Sequence, residues 1–507
     1  MQVLFFTHTN SPKDLLPEGY SARIEDRGRI ETVSIVDTHD WRLWHTGNAA
    51  LVYDDRIELR HLDTWLAETT QNDNFSVDGY LIEGDGPAVE RVKKAVFPRA
   101  LARRYKIKQQ IDAWAVRNID EKIVCRAEII QLANEKSGRT KVTGVIFRPL
   151  RGYEEETCEI EKCARRISGT ERAAPAGAAD PVSLLLQKNK DSPTRFLSHK
   201  SLSLKEGLPL SGASRDLLLS LTDVMAASVP GILEDIDTEF LHDFRVCVRK
   251  SRAFLSLLKS SLNSGAVAPH QEFLRKCGSL TNEMRDLDVY LLEFSHFYAL
   301  LPPSLIEYLK AFYDEIQTKR MTAKKTLKAG LSDMTYTAGY VSWRKFLKSE
   351  NLLAKDAVSD SNLLGRRLIL RRYKKVRKLA SIITGQTPDA DLHALRIECK
   401  KLRYCIEFFK AAVHEPIVDD VLSLLKTLQD VLGEFNDLSV QQRWLNDALH
   451  SQDVVRGSGV QAAIGGLMTS LYAKQQFTRQ LIFEKFSRFV DKNVASRIAE
   501  IKPEEYK

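Results

Sequence analysis

The feature that most restricts how this chain can fold is a duplication. The stretch "LHDFRVCVRKSR", which begins at Leu241, returns as "LHALRIECKKLR" from Leu392, an offset of 151 residues between His242 and His393. Arg245 then aligns with Arg396, Arg249 with Lys400, Lys250 with Lys401 and Arg252 with Arg403. The same offset holds downstream without a gap: Leu274 meets Leu425, Asp286 meets Asp437 and Leu287 meets Leu438. A register kept over that length marks one helical unit used twice, so pseudo-two-fold symmetry is expected.

Helix geometry turns the repeated spacing into a surface. At about 100° per residue, positions i, i+3, i+7 and i+10 share a sector of roughly 80°. His242, Arg245, Arg249 and Arg252 therefore form one row, and His393, Arg396, Lys400 and Arg403 another. Leu395, Cys399, Leu402, Ile406 and Phe409 occupy a different face and are expected to pack inward. Like charges one turn apart repel by a few tenths of a kcal/mol per pair. A row without interspersed acids is explained by a polyanionic neighbour; the alternative is a solvated face, or pairing with Asp286 and Asp437. A third segment, "GRRLILRRYKKVRK", puts Arg367, Arg371, Lys374 and Lys378 on one helical face. "TKRMTAKKTLK" and "AKQQFTRQLIFEKF" are weaker basic runs of the same kind.

The chain is long enough, at 507 residues, for two or three domains. Residues 1–168 read as mostly strand: "IETVSIVDT", "NAALVYDDRIELRHL", "FSVDGYLIEG", "KIKQQIDAWAVRN", "KIVCRAEIIQL" and "KVTGVIFRPL" are short, β-branched or alternating. "AVERVKKAVFPRALARR" interrupts them with a helical pattern. Residues 169–203, rich in Ala, Gly, Pro and Ser, read as a linker. Residues 204–500 read as helix throughout, with repeat halves of about 204–350 and 355–500. The expected fold is α+β multidomain: an N-terminal antiparallel β domain followed by an all-α domain.

Charge distribution adds to this division. Residues 1–200 hold 31 Lys and Arg against 30 Asp and Glu, whereas residues 201–507 hold 44 against 37. Most of the formal charge of +8 thus lies with the helices, which points to an anionic partner there. The start, "MQVLFFTHTNSPKD", lacks a basic segment and a long apolar run, so a secretory signal is not expected. No apolar stretch approaches the roughly 18 residues that suggest a membrane span. The seven cysteines are odd in number and form no CxxC pair, against both a disulfide framework and a zinc site. A cytoplasmic protein with no metal, no cofactor and no membrane partner is the expectation.

Catalysis by the histidines is disfavoured, because neither helix supplies a matching carboxylate to orient both imidazoles. Glu398 and Glu407 align with Cys247 and Ser256. Nucleic acid is the rival polyanion. Single-strand binders interleave cations with aromatic platforms, and of the few aromatics here, Phe244, Phe254, Tyr404, Phe408 and Phe409, several fall on or near the apolar faces.

At these residues a family becomes recognisable. The repeated H-x-x-R-x-x-x-[RK]-[KR]-x-R helix, with "MRDLDV" at 284–289 and "FNDLSV" at 435–440 downstream, resembles the CHAD domain (conserved histidine α-helical domain). The resemblance covers about 205–500. It implies a pseudo-symmetric pair of four-helix bundles, a basic central surface that binds inorganic polyphosphate, and recruitment to polyphosphate granules. Carried onto this sequence, the binding residues are His242, Arg245, Arg249, Lys250, Arg252, His393, Arg396, Lys400, Lys401 and Arg403. The α-helical row Arg367, Arg371, Lys374 and Lys378 is added on charge. Two departures stand out: Arg285 becomes Asn436, and Asp288 becomes Ser439 in the second repeat.

The N-terminal region is similar, more loosely, to the CYTH family of tunnel-shaped triphosphatases. "VDTHDWRLWHTGNAALVYD", "NIDEKIVCRAEI" and "FRPLRGYEEE" carry that likeness, which implies an antiparallel β-barrel or tunnel. A working member opens with an E-x-E-x-K strand whose carboxylates hold a divalent metal. Here the first strand is "QVLFFTH", without an acid. A degenerate, non-enzymatic domain is therefore expected, with a metal-dependent triphosphatase or polyphosphatase as the alternative.

Overall fold

The computed structural model describes residues 5–6, 11–71, 75–78, 81–135, 141–169, 181–186, 192–193, 196, 198, 202–354, 360–412, 415–450 and 457–489. The chain divides into two compact units, Met1–Phe196 and Leu197–Lys507.

In the first unit the alternating, β-branched segments form strands. They are β1 (Phe5–Phe6), β2 (Ser21–Asp26), β3 (Glu31–Thr38), β4 (Asn48–Val52), β5 (Arg56–His61), β6 (Ala67–Gln71), β7 (Phe75–Asp78), β8 (Leu81–Gly84), β9 (Leu101–Arg117), β10 (Ile123–Asn134) and β11 (Lys141–Pro149). All but β7 and β8, which pair with each other, build one antiparallel curled sheet. Its order is β1-β11-β10-β9-β3-β4-β5-β6, with β2 also on β9. Strand β9 takes β3 along Leu101–Gln109 and β2 along Ala113–Arg117. The crossing between β2 and β3 uses Gly28, whose N–H donates to Asp112 Oδ1 at 3.1 Å. A Cβ there would stand 2.1 Å from the Ile111 carbonyl oxygen, so only glycine fits.

Four helices cover the sheet: α1 (Arg42–His45), α2 (Pro87–Val96), α3 (Glu154–Ile167) and α4 (Pro181–Leu186). The "DT" of the "VDTHDW" segment has a structural duty. Buried Asp37 accepts from the backbone N–H groups of Thr38, Leu43 and Trp44 at 2.7, 3.0 and 3.0 Å, which fixes the α1 turn. Helix α2 ends at Val96, and the "LARR" of the expected helical stretch opens β9 instead. Pro98 explains the break, since its ring cannot continue the helix and biases Phe97 towards extended backbone. Within the stretch read as a linker, α4 buries Val182, Leu185 and Leu186 against Val33, Ile35, Leu51, Ile107 and Ile146 of the sheet.

The described part of the second unit is mostly helical; residues 490–500, read as helix from the sequence, lie outside it. Its first half contains α5 (Leu210–Glu234), α6 (Thr238–Leu257), α7 (Ser264–Leu280), α8 (Asn282–Ala299), α9 (Pro303–Ser332) and α10 (Met334–Leu347). The second contains α11 (Ser361–Ala380), α12 (Asp389–Phe408), α13 (Glu415–His450) and α14 (Ser458–Phe489). The offset of 151 carries the start of α5 onto that of α11 and both ends of α6 onto those of α12. It also carries the ends of the α7–α8 pair onto α13. The first half breaks at buried Thr281, whose hydroxyl donates back to the Cys277 and Gly278 carbonyls. Side-chain bonds of that kind bend helices. The second half has buried Leu432 at that place and continues straight through.

Helix α5 departs from expectation in one respect: by length and hydropathy it would pass as a membrane span. Half of that apolar window is buried inside the protein, with Leu217, Leu218 and Leu221 in the helical core. The predicted inward face of α12 is also observed, as Leu395, Cys399, Leu402, Ile406 and Phe409 are all buried.

The two halves lock together reciprocally. Leu204 N–H, ahead of α5, donates to the Phe408 carbonyl at the end of α12 (2.9 Å). Ahead of α11, Ala354 N–H donates to the Ser261 carbonyl (2.9 Å) and Leu352 accepts from Asn263 (3.1 Å), just beyond α6. Each half's lead-in segment thus holds the end of the other half's basic helix. The Phe254 ring meets Phe408 edge-on at 5.1 Å, which packs α6 against α12.

Candidate functional site

The packing of α6 on α12 brings the two basic rows together. Arg249 of α6 lies within electrostatic reach of both Arg396 and Lys400 of α12 and disfavours their charged forms. Burial is the larger cause of both effects, and it pushes the Lys400 ammonium down to about 8. Arg396 is held 3.7 Å from Asp437, the acid the repeat places on the following helix. Arg249 and Arg252 are exposed.

Arg245 serves the scaffold as well as the row. Its Nη1 donates to the Thr281 hydroxyl and Asn282 Oδ1, both at 2.8 Å, and to the Gly278 carbonyl at 3.3 Å. It thereby ties α6 to the break between α7 and α8. The unpaired carbonyls at a helix C-terminus favour a cation there.

The two histidines have different surroundings. His242 is half-buried, and burial, followed by the charge of Arg285, lowers it to about 4, so it is neutral at physiological pH. His393 is exposed, and its Nδ1–H donates to Asn436 Oδ1 at 2.6 Å. Arg285 and Asn436 are repeat equivalents, so one substitution accounts for both environments. Arg285 was legible only as a departure between repeats, yet it belongs beside the first row.

Other cations assigned from sequence lie elsewhere. Lys250 is buried and bonds Glu407 Oε2 at 3.0 Å across the α6–α12 contact, so it is not part of the exposed row. Arg403, at the end of the second row, also reaches Glu407, at 3.3 Å. Lys401 pairs with buried Glu398 at 2.8 Å. Glu398 is also bonded by Arg372 at 3.1 Å and Lys375 at 3.0 Å, both from α11. At about 100° per residue, Glu398 lies on roughly the opposite side of α12 from the row. Helix α11 therefore docks on the far side, and exposed Arg367, Arg371, Lys374 and Lys378 form a separate face. In the weaker runs, Arg320 bonds Asp288 at 2.7 Å and Asp235 at 2.7 and 2.9 Å, Lys324 bonds Asp235 at 2.9 Å, and Arg479 bonds Asp389.

The first unit has its own charged cluster. On β5, Arg56, Glu58 and Arg60 alternate onto one face, where Glu58 takes Arg56 at 2.7 Å and Arg60 at 2.6 Å. Arg56 also pairs with Glu31 at 2.9 Å, while Tyr53 donates to Glu58 at 3.0 Å. The arginines are thus neutralised within the sheet. Of "QVLFFTH", only Phe5 and Phe6 lie among the described residues.

A duplicated all-helical domain whose basic helices pack side by side is the class that this fold and site define. Residues 216–446 match the CHAD domain family, and the chain carries a CHAD domain. Among solved structures it is similar to the CHAD domain from the plant Ricinus communis, at 21% identity and a TM-score of 0.49, covering 57% of this chain and 96% of that one. It is also similar to PptA from Streptomyces chartreusis, at 14% identity and a TM-score of 0.45, covering 55% of this chain and 99% of that one. No curated protein matches the chain.

Proposed function

We propose that the helical domain binds inorganic polyphosphate along the joined rows of α6 and α12. The observation that carries this reading is the nearness of Arg249 to Arg396 and Lys400, cations from both repeats on one surface. Gathering cations is unfavourable in the free protein and becomes favourable when a polyanion lies over them. Arg presents a planar fork to two phosphate oxygens, Lys a compact charge, and neutral His242 a hydrogen bond without repulsion. Binding of this kind releases counterions and weakens steeply with salt.

Nucleic acid is the second reading, and the aromatic residues weigh against it. Phe244, Phe254, Tyr404, Phe408 and Phe409 are all buried in the helical core, so none offers a face on which a base can stack. The α11 row is a secondary polyanion surface in this account. Membership of the CHAD family adds support at the level of the family. Targeting to polyphosphate granules in the cytoplasm is the corresponding cellular role.

For the first unit we propose a non-enzymatic scaffold of CYTH type. The support is the closure of Arg56 and Arg60 by Glu58 and the packing of α4 onto the sheet. A metal-dependent triphosphatase is the rival activity.

Calorimetric titration of the full chain with long-chain polyphosphate and with single-stranded DNA of matched charge, near physiological salt, tests the main reading. Tight binding of the first and weak binding of the second is the expected result. Equal binding of the two would reduce the rows to a generic basic surface.

A further inference from the structure

A cleft of about 540 Å³ opens at the start of α12, beside the second basic row. Its floor includes Leu392 and Phe435, and its rim carries His393, Asn436, Ser439 and Gln442. The volume suits a small organic ligand, as does an apolar floor with a few polar groups.

The repeat explains why the cleft exists. The first half has Asp288 where the second has Ser439. Helices α9 and α14 begin 155 residues apart, at Pro303 and Ser458. Arg320, which bonds Asp288 and Asp235, therefore stands where Gln475 bonds Ser439 and Asp389, and Lys324 stands where Arg479 does. In the first half Asp288, Arg320, Asp235 and Lys324 close into a half-buried charge network around buried Asp288. The second half keeps one ion pair, Arg479 with Asp389, and replaces Arg320 and Asp288 with the neutral Gln475 and Ser439. Gln475 donates to Ser439 Oγ, and Gln442 donates to Gln475 Oε1 at 3.0 Å. Asp389, also on the rim, is neutralised by Arg479. The long Arg285 side chain is shortened to Asn436, which turns to His393.

We propose that this cleft is a head-group site, which holds the base of a nucleoside polyphosphate while its phosphates extend along the row of α12. The inference rests on the reading of that row as a phosphate site. Side-chain amides carry both a donor and an acceptor and match the edge of a base. Leu392, Leu432 and Phe435 make the cleft wall largely apolar, which suits a planar base better than an inositol ring, with the amides rather than an aromatic face doing the recognition. Along the helix axis Arg396 and Lys400 stand about 4.5 and 10.5 Å beyond His393, the span over which a triphosphate extends.

The test is calorimetry on the full chain with a purine nucleoside triphosphate, inorganic triphosphate and long-chain polyphosphate. The expected result is at least tenfold tighter binding of the nucleoside triphosphate than of inorganic triphosphate. Ser439→Leu, which fills the cleft, and Gln442→Met, which removes an amide, should each erase that difference and leave long-chain polyphosphate binding as it was. Equal affinity of the two triphosphates in the unaltered protein overturns the head-group site while leaving the row intact. If long-chain polyphosphate also fails to bind, the row itself is refuted, and the head-group site with it.

Discussion

Arg249 and Lys400 are the same position of the duplicated unit, and in the folded protein they meet as neighbouring cations. Helix α6 packs on α12, and the charge of Arg249 joins burial and Arg396 in lowering Lys400 to about 8. An anion laid over this pair would offset the cost of gathering the cations.

Polyphosphate affinity should therefore depend on pH. Free Lys400 loses its proton as pH rises through about 8, because burial, Arg396, Arg249 and Arg403 disfavour its charged form; phosphate contact, like the Asp437 carboxylate, favours it. Binding takes up a proton above that point, so affinity should fall by about an order of magnitude between pH 7 and pH 9. Calorimetry in two buffers of different ionisation enthalpy measures the uptake directly. Lys400→Arg should abolish both the uptake and the pH dependence.

His242 gives a stability effect of opposite range. Its folded value of about 4 lies below the ordinary histidine value, so the unfolded chain binds the proton more readily. The contribution is present above about pH 6.5 and is lost as pH falls towards 4. Denaturant unfolding at pH 7 and pH 5 should show the natural protein losing about 1–2 kcal/mol more than His242→Gln over that interval. An equal loss in the two would place the histidine in water.

The Lys250–Glu407 pair should behave as a buried ion pair. Glu407→Ala leaves a buried ammonium without its partner, and a loss of about 3–5 kcal/mol is expected. The double change Lys250→Met with Glu407→Leu should recover most of it, because the buried charge is removed with its partner while Arg403, about one-third exposed, is left with water. Thermal and denaturant unfolding of Lys250→Met, Glu407→Leu and the double variant decides this. Additive losses would show that the pair is not coupled.

Much of the helical unit was legible in the sequence because duplication copied whole elements. The repeat offset transfers helix ends as well as histidines, and the inward face of α12 follows from its period. What sequence did not contain is which helix meets which. Lys250 stands one residue from Arg249, yet that step turns it about 100° into the α6–α12 contact. The acids that neutralise Arg320 and Lys324 come from Asp235 and Asp288, far away in the chain. The direction of the α11 row was hidden for the same reason, since it depends on Glu398 anchoring Arg372 and Lys375. In the first unit, alternation marked the long strands, but short α4 lay inside a low-complexity stretch. Its role came only from packing.

The most direct test of the central claim compares two triple variants in calorimetric titration with long-chain polyphosphate across a salt series. One is Arg249→Ala, Arg396→Ala and Lys400→Ala; the other is Arg367→Ala, Arg371→Ala and Lys374→Ala on α11. Arg245 is left in place because it holds α6 to Thr281 and Asn282. The account predicts that the first variant loses at least a hundredfold in affinity and about three units of salt slope, while the second retains most of its binding. Equal losses in the two variants, or a greater loss from α11, would contradict a polyphosphate site built where α6 meets α12.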